Sequence, residues 1–217
     1  MKKKIHIGKK ILFANDEIAA RVRELLKENK ISCLNLVSSP GSGKTSLLEK
    51  TIELLNGEIS MGLIAGDIQT DNDARRLSAA GGKIVKAIET GGACHLDASM
   101  ILRAIEKFDL NSIRLLFIEN VGNLVCPSSY DLGEDMKVVL ISVTEGDDKP
   151  LKYPGMFRRS SIMIINKIDL SPYCDFDIEA AKKNALKING KLRIFEISCR
   201  TGQGLDEWIG WVKTLKS

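Results

Sequence analysis

The sequence predicts a doubly wound α/β fold, a mostly parallel sheet with helices on both faces. Three observations predict it. Short apolar runs near 33–37, 61–65, 84–88, 114–118, 137–143, 162–165 and 192–197 recur along the 217 residues. They are mostly unbroken, as parallel strands covered on both faces must be. Segments of helical periodicity separate them, beginning at 16–30 and ending at 205–215, where Leu205, Ile209, Val212 and Leu215 accompany Trp208. Finally, Gly41, Asp67, Glu119, Asn166 and Ser198 all fall at or just beyond the carboxyl ends of these runs, where ligands gather in such sheets.

Taken in chain order, the start Met1-Lys-Lys-Lys-Ile-His-Ile-Gly-Lys-Lys10 reads as a short basic arm. With the leading helix it occupies about residues 1–30 of what is expected to be a single domain over 1–217. The first strand then runs into Ser38-Ser-Pro-Gly-Ser-Gly-Lys-Thr45 and a helix over 45–55. A strand, a glycine-rich turn and Lys-Thr opening a helix form a phosphate-holding loop: backbone N–H groups and the helix dipole meet the phosphates. Gly41, Ser42, Gly43, Lys44, Thr45 and Ser46 are its expected nucleotide contacts. Lys44 reaches the β and γ phosphates and Thr45 offers its hydroxyl to Mg²⁺. Ser38 stands where the usual pattern begins with Gly.

Asp67 ends the second strand, and Asp71 and Asp73 follow within one turn. Asp71 reads as a helix cap. Asp67 and Asp73 are expected to orient the attacking water, which with Lys44 makes the catalytic set. Thr45, Asp67 and Glu119 form the expected Mg²⁺ set. No arginine finger stands out, and Arg75, Arg76 and a lysine across a dimer remain open.

Cys94 and His95 sit side by side at the start of an expected helix whose apolar set is Leu96, Met100, Ile101, Ala104, Ile105 and Phe108. Cys126 follows Glu119 and Gly122 on the next connection. Two thiols and an imidazole suit borderline metals such as Ni²⁺ and Zn²⁺. The same residue types also serve as small buried hydrophobes and structural histidines. Three ligands leave an incomplete shell, which a second subunit related by a two-fold axis can complete. Gly122 is placed to offer its N–H to the γ-phosphate.

Asn166-Lys-Ile-Asp169 ends a further strand. An Asp carboxylate there accepts both the ring N–H and the exocyclic amine of guanine, donors that adenine does not present together. GTP is therefore favoured over ATP. Lys167 covers the base, Asn166 ties this segment to the phosphate loop, and Ser198 and Cys199 follow the last strand, where a backbone N–H can meet the guanine oxygen.

Ser38 to Thr45, Gly66-Asp-Ile-Gln-Thr-Asp-Asn-Asp73, Thr90-Gly-Gly-Ala-Cys-His-Leu-Asp97, Glu119-Asn-Val-Gly-Asn-Leu-Val-Cys-Pro127 and Asn166-Lys-Ile-Asp169 closely resemble the HypB family, nickel-insertion GTPases of [NiFe]-hydrogenase maturation. The resemblance spans nearly the whole chain. It implies a P-loop NTPase fold of SIMIBI-like type and a GTP-dependent homodimer, with Cys94, His95 and Cys126 holding Ni²⁺ or Zn²⁺ near the dimer interface. It further implies a companion nickel-binding accessory protein and a hydrogenase large subunit as eventual recipient. One departure stands at the amino end, where some members carry a Cys-x-x-Cys-Gly-Cys motif or a His-rich tract. This chain has no Cys before Cys33, so nickel storage is not expected. A GTPase chaperone for another metalloenzyme, such as urease or a cobalamin-dependent mutase, would share the nucleotide motifs. A small-molecule kinase would need an acceptor pocket and lid that the sequence does not display, and a structural zinc module would bind metal without regard to nucleotide.

Composition fits a cytoplasmic enzyme that binds neither nucleic acid nor membrane. The chain is 44% hydrophobic with a net charge of only +4, and no aromatic residues interleave its basic start. No apolar run approaches the roughly 20 residues of a membrane helix, and the basic start lacks a signal peptide's apolar core. The five cysteines show no disulfide pattern; Cys33 and Cys174 have no expected role.

Overall fold

The computed structural model describes residues 2–55 and 57–215, with side chains from Lys10 onward. The strands are β1 (Ser32–Ser38), β2 (Met61–Asp67), β3 (Ile84–Glu89), β4 (Leu115–Glu119), β5 (Met136–Ser142), β6 (Ile162–Asn166) and β7 (Arg193–Glu196). They form one sheet in the order β3-β2-β4-β1-β5-β6-β7, and every pairing is parallel. The helices are α1 (Lys2–Glu28), α2 (Lys44–Leu55), α3 (Asn72–Ala79), α4 (Ala98–Ile105), α5 (Lys149–Lys152), α6 (Pro154–Arg159), α7 (Ile178–Ile188) and α8 (Leu205–Lys213).

Side-chain alternation along the strands assigns the two faces. Leu34, Leu36, Leu63, Phe117, Leu140 and Ile164 pack with Leu48 of α2, Leu77 of α3 and Trp208 of α8. Their neighbours Cys33, Ile64, Leu116 and Ile118 meet Val22 and Leu26 of α1 and Ile101 and Ile105 of α4. Further along the same face, Val139, Ile141, Met163 and Ile165 meet Phe157 of α6 and Ala181 and Ala185 of α7. The expected doubly wound fold is present. Parallel register aligns the strand ends: Glu119 lies opposite Leu36 and Ala65, and Ser142 opposite Asn166. From central β1 the chain winds first through β2, β3 and β4, then crosses to β5. The crevice beyond β1 is thus a switch point suited to a ligand.

Trp208 anchors α8. It is fully buried, lies edge-on to Phe195 with ring centroids 5.6 Å apart, and donates its Nε1–H to Thr51 Oγ1 at 2.9 Å. Trp208→Ala should lower unfolding free energy by about 3–5 kcal/mol, as read from urea titrations. A loss below about 1 kcal/mol would show that this packing contributes little.

Three expectations need correction. The leading helix does not begin at 16: α1 starts at Lys2, and the basic arm is the helix's own first turns. Lysine is a good helix former and no proline interrupts the segment. The side chains of residues 1–9, His6 included, lie outside the described set. At its other end α1 stops short of 30, because Lys30 adopts φ +56 and Ile31 N–H closes back on Leu26 O at 2.9 Å. Second, Asp71 holds the N-cap position of α3, but its carboxylate makes no cap bond and pairs with Arg75 at 3.0 Å instead. Third, strands and helices do not alternate throughout. Between β4 and β5 the described chain forms only a single 3₁₀ turn, Cys126–Ser128. That irregular connection carries one of the expected metal ligands.

Candidate functional site

The phosphate loop follows β1 as expected. Gly41 and Gly43 have φ of +75 and +100, conformations that side chains rarely adopt, and a Cβ on Gly43 would collide with Asn166 Nδ2. Asn166 uses that nitrogen to donate to Ser42 O at 2.9 Å, which joins the base segment to the phosphate loop. Ser38, the departure from the usual pattern, accepts from Lys44 Nζ at 3.0 Å. Its hydroxyl holds the ammonium inside the loop. Lys44 is buried, and burial lowers its pKa against the opposing pull of Glu119, Asp73 and Asp67.

The carboxylates converge on Thr45, whose Oγ1 lies 3.0 Å from Asp73 Oδ1 and 2.7 Å from Glu119 Oε1. One hydroxyl carries one proton. Satisfying both contacts therefore requires a protonated carboxyl or a cation among these oxygens. Glu119 Oε2 is buried without a hydrogen-bond partner, and burial pushes the Glu119 carboxyl up to about 7 despite Lys44 and Thr45. An all-oxygen set with an orphaned carboxylate oxygen fits Mg²⁺. Asp67 lines the same cavity of about 470 Å³, but its Oδ1 accepts from the N–H groups of Gln69 and Thr70 at 3.0 and 3.3 Å. Asp73, not Asp67, makes the contact with Thr45.

The raised Glu119 pKa has a testable sign. Its folded value of about 7 exceeds its ordinary 4.5. The carboxyl is without penalty below about 4.5, costs stability progressively up to about 7, and costs a constant amount above that. The gap corresponds to about 3 kcal/mol at most. Glu119→Gln should therefore be the more stable of the two ligand-free proteins above neutrality, with the difference vanishing near pH 4.5. Urea midpoints across this range check it; a difference independent of pH would reject the burial account.

Of the expected base-reading residues, Asn166, Lys167, Asp169 and Cys199 line a second cavity of about 390 Å³ that shares Gly43, Ser46 and Lys167 with the first. Lys167 adopts φ +63 and donates from Nζ to Gly41 O at 2.8 Å. Asp169 Oδ1 accepts from Ser198 Oγ at 2.6 Å, and Cys199 N–H points to Asn166 Oδ1 at 3.4 Å. Burial pushes the Cys199 thiol up to about 11, so it stays neutral beside this pocket.

Cys94, His95 and Cys126 come together as well. The two sulfurs are 3.0 Å apart, Cys94 Sγ lies 3.8 Å from His95 Nδ1, and ligand atoms of all three fall within 4.8 Å of one another. Among the described residues no other such His/Cys/Asp/Glu cluster occurs. Asp97 caps α4 by accepting from Met100 N at 2.8 Å, which holds the Cys94-His95 segment at the helix entrance. Tyr130 stacks on the imidazole with centroids 3.9 Å apart. Burial lowers the His95 pKa more than Asp97 raises it, which favours the neutral ring a metal needs. The hydrogen bond to Cys94, followed by burial, raises the Cys126 pKa, so metal capture must expel a proton. A two-sulfur, one-nitrogen set fits Ni²⁺ or Zn²⁺, and among the described residues it is one ligand short of four.

Sequence reading left several residues unassigned. Arg76 lines the phosphate cavity and pairs with Glu49 at 2.7 Å and Asp73 at 3.6 Å, whereas Arg75 points outward to Asp71. Glu145 accepts from Ser42 Oγ, and Lys149 donates to Ser39 Oγ at 2.7 Å. Both follow the carboxyl end of β5, so the strand-end rule could have found them. Arg76 had no such signal, because its role depends on how α3 docks.

A family model described as CobW/HypB/UreG, nucleotide-binding domain, matches residues 32–196. The hydrogenase maturation factor HypB of Azotobacter chroococcum mcd 1 is 50% identical over 209 residues, which cover 96% of this chain and 68% of that protein. The crystal structure of hydrogenase maturation factor HypB from Archaeoglobus fulgidus matches with a TM-score of 0.87 at 41% identity, covering 94% of this chain and 99% of that one. The crystal structure of HypB from Helicobacter pylori in complex with nickel matches with a TM-score of 0.88 at 40% identity, covering 94% and 95% respectively. A nucleotide-binding family model spanning most of the chain, and relatives up to half identical along nearly all of it, establish that the chain belongs to the HypB family of hydrogenase maturation factors.

Proposed function

We propose that this protein hydrolyses GTP and couples GTP binding and hydrolysis to nickel delivery during [NiFe]-hydrogenase maturation. The observation that carries this reading is the placement of Cys126 on the irregular connection that begins at Glu119 and Gly122. One loop thereby borders both the phosphate cavity and the metal-ligand cluster. Guanine is read by Asp169, with Asn166, Lys167 and the Ser198-Cys199 turn around the base. Lys44 and the N–H groups of the phosphate loop stabilise charge on the transferring phosphoryl group. Asp73, with Asp67 across the cavity, orients the attacking water, and Arg76 is near enough to join them. Thr45 and Glu119, with Asp67 or Asp73, would hold Mg²⁺, which when bound neutralises charge on the phosphates.

A Cβ on Gly122 would lie 3.0 Å from Pro40 of the phosphate loop. Glycine keeps this backbone close to the phosphate loop, within reach of a γ-phosphate whose loss would release it. Nickel, the cargo, is held by Cys94, His95 and Cys126, with zinc as an alternative occupant. The missing ligand supports a nucleotide-dependent homodimer in which a second copy completes the shell. A nickel-binding accessory protein would load the site and a hydrogenase large subunit would receive the metal in the cytoplasm. No described helix is long and apolar enough to cross a membrane.

Nickel affinity and molecular mass, measured in the nucleotide-free, GDP and non-hydrolysable GTP states, test this reading. The expected result is a change in nickel affinity of about fivefold or more between the GDP and GTP-analogue states. Identical affinity and mass in all three would refute the coupling while leaving hydrolysis possible.

A further inference from the structure

We propose that Asn120 and Asn123 are positioning residues that transmit the state of the nucleotide cavity to the Cys94/His95/Cys126 cluster. The proposal rests on the reading of this chain as a nickel-coupled GTPase and names the contacts through which the coupling passes.

Asn120 follows Glu119 directly and is buried. Its backbone N–H donates to Leu36 O of β1 at 2.9 Å. Its Oδ1 accepts from Val121 N at 3.0 Å and from Leu96 N at 3.2 Å, the amide immediately after His95. Its Nδ2 donates to Asn35 Oδ1 at 3.2 Å. Asn35, also buried, donates to Glu134 Oε1 at 3.0 Å, and Glu134 pairs with Lys137 at 3.3 Å. Lys137 Nζ closes the path by donating to Pro127 O at 3.0 Å and Tyr130 O at 3.1 Å. Pro127 adjoins Cys126, and Tyr130 stacks on His95. Polar contacts that start beside Glu119 thus end on both segments that carry metal ligands.

Asn123 makes the shorter connection. One residue past Gly122, its Nδ2 donates to Cys94 O at 3.2 Å while its Oδ1 accepts from Val125 N at 2.9 Å. It staples the Cys94 segment to the Cys126 segment.

Unpairing a buried polar group is costly, so the bonded segments tend to move as a unit. If Gly122 advances toward a γ-phosphate, residues 120–123 must either carry Leu96 and the Cys94 carbonyl with them or abandon these bonds. The first course retains the hydrogen bonds and changes the ligand geometry. A purely structural role for the two asparagines predicts something different: variants with altered stability whose nickel affinity still responds to nucleotide as in the parent.

The test is Ni²⁺ affinity of the full chain in the GDP and non-hydrolysable GTP states, for the parent, Asn120→Ala and Asn123→Asp. Asn123→Asp keeps the acceptor for Val125 and loses the donor to Cys94. Couplings of this kind span about 5–150-fold in affinity. Both variants should bring the ratio between the two states to within about twofold of one. GTP turnover of Asn123→Asp should stay within about threefold of the parent, since Asn123 does not line the nucleotide cavity. Parent-like ratios in both variants overturn the proposal. If Asn120→Ala does not fold, Asn123→Asp on the half-buried loop decides the matter by the same criterion. A ratio of one in the parent itself would refute the underlying coupled reading, and this proposal with it.

Discussion

Lys44→Ala is expected to lower GTP turnover by about 10²–10³-fold, because it removes a preorganised positive charge from the place where phosphoryl charge develops. The ammonium is already aimed: it sits inside the loop on Ser38 Oγ at 3.0 Å, buried. It is also the largest influence opposing the upward shift of Glu119. Removing it leaves Ser38 without its donor and pushes the Glu119 carboxyl higher, so the variant should hold its metal-binding carboxylate more often protonated at neutral pH. Single-turnover hydrolysis at saturating GTP and Mg²⁺ measures the chemical step, and a thermal unfolding curve controls for loss of fold. A folded variant that turns over GTP at the parent rate would remove Lys44 from the mechanism.

The second large effect concerns the metal. The Cys94→Ala/Cys126→Ala protein is expected to bind Ni²⁺ at least about 100-fold more weakly, since loss of both thiolates leaves His95 alone and imidazole by itself is a weak ligand. GTP turnover should stay within about twofold of the parent, because neither sulfur borders the phosphate or base cavity. Both thiols are only partly buried, so the fold should tolerate the change. Nickel competition against a chromophoric chelator, alongside phosphate release, reads both quantities. Parent-like nickel affinity would place the metal elsewhere in the molecule.

These two variants separate what is local from what is not. The phosphate loop is a run of eight residues, Ser38 to Thr45, from the end of β1 into the start of α2, and Lys44 was legible because all of its requirements lie within that run. The Asn166 to Asp169 segment, expected to read the base, is local in the same way. Cys94 and Cys126 were recognisable as metal-type ligands, but their meeting at 3.0 Å spans 32 residues of chain and the width between two connections. That distance depends on the register of β2, β3 and β4 and on the irregular path from β4 to β5, which no periodicity announces.

The sequence by itself indicated the fold class, the glycine-rich loop between strand and helix, the segment expected to read guanine and the ligand-type residues of the Cys/His cluster. Each follows from patterns a few residues long: unbroken apolar runs, glycines at a strand-to-helix turn, carboxylates at strand ends. Tertiary structure alone decided that Asp73 rather than Asp67 contacts Thr45, that Arg76 rather than Arg75 lines the cavity beside the glycine-rich loop, and that Asn120 and Asn123 bond to the segment carrying Cys94 and His95. Those choices turn on which way α3 is rotated and which buried groups find partners across the sheet. Side-chain direction and hydrogen-bond satisfaction are properties of the packed whole, so they become visible only when distant segments share one core.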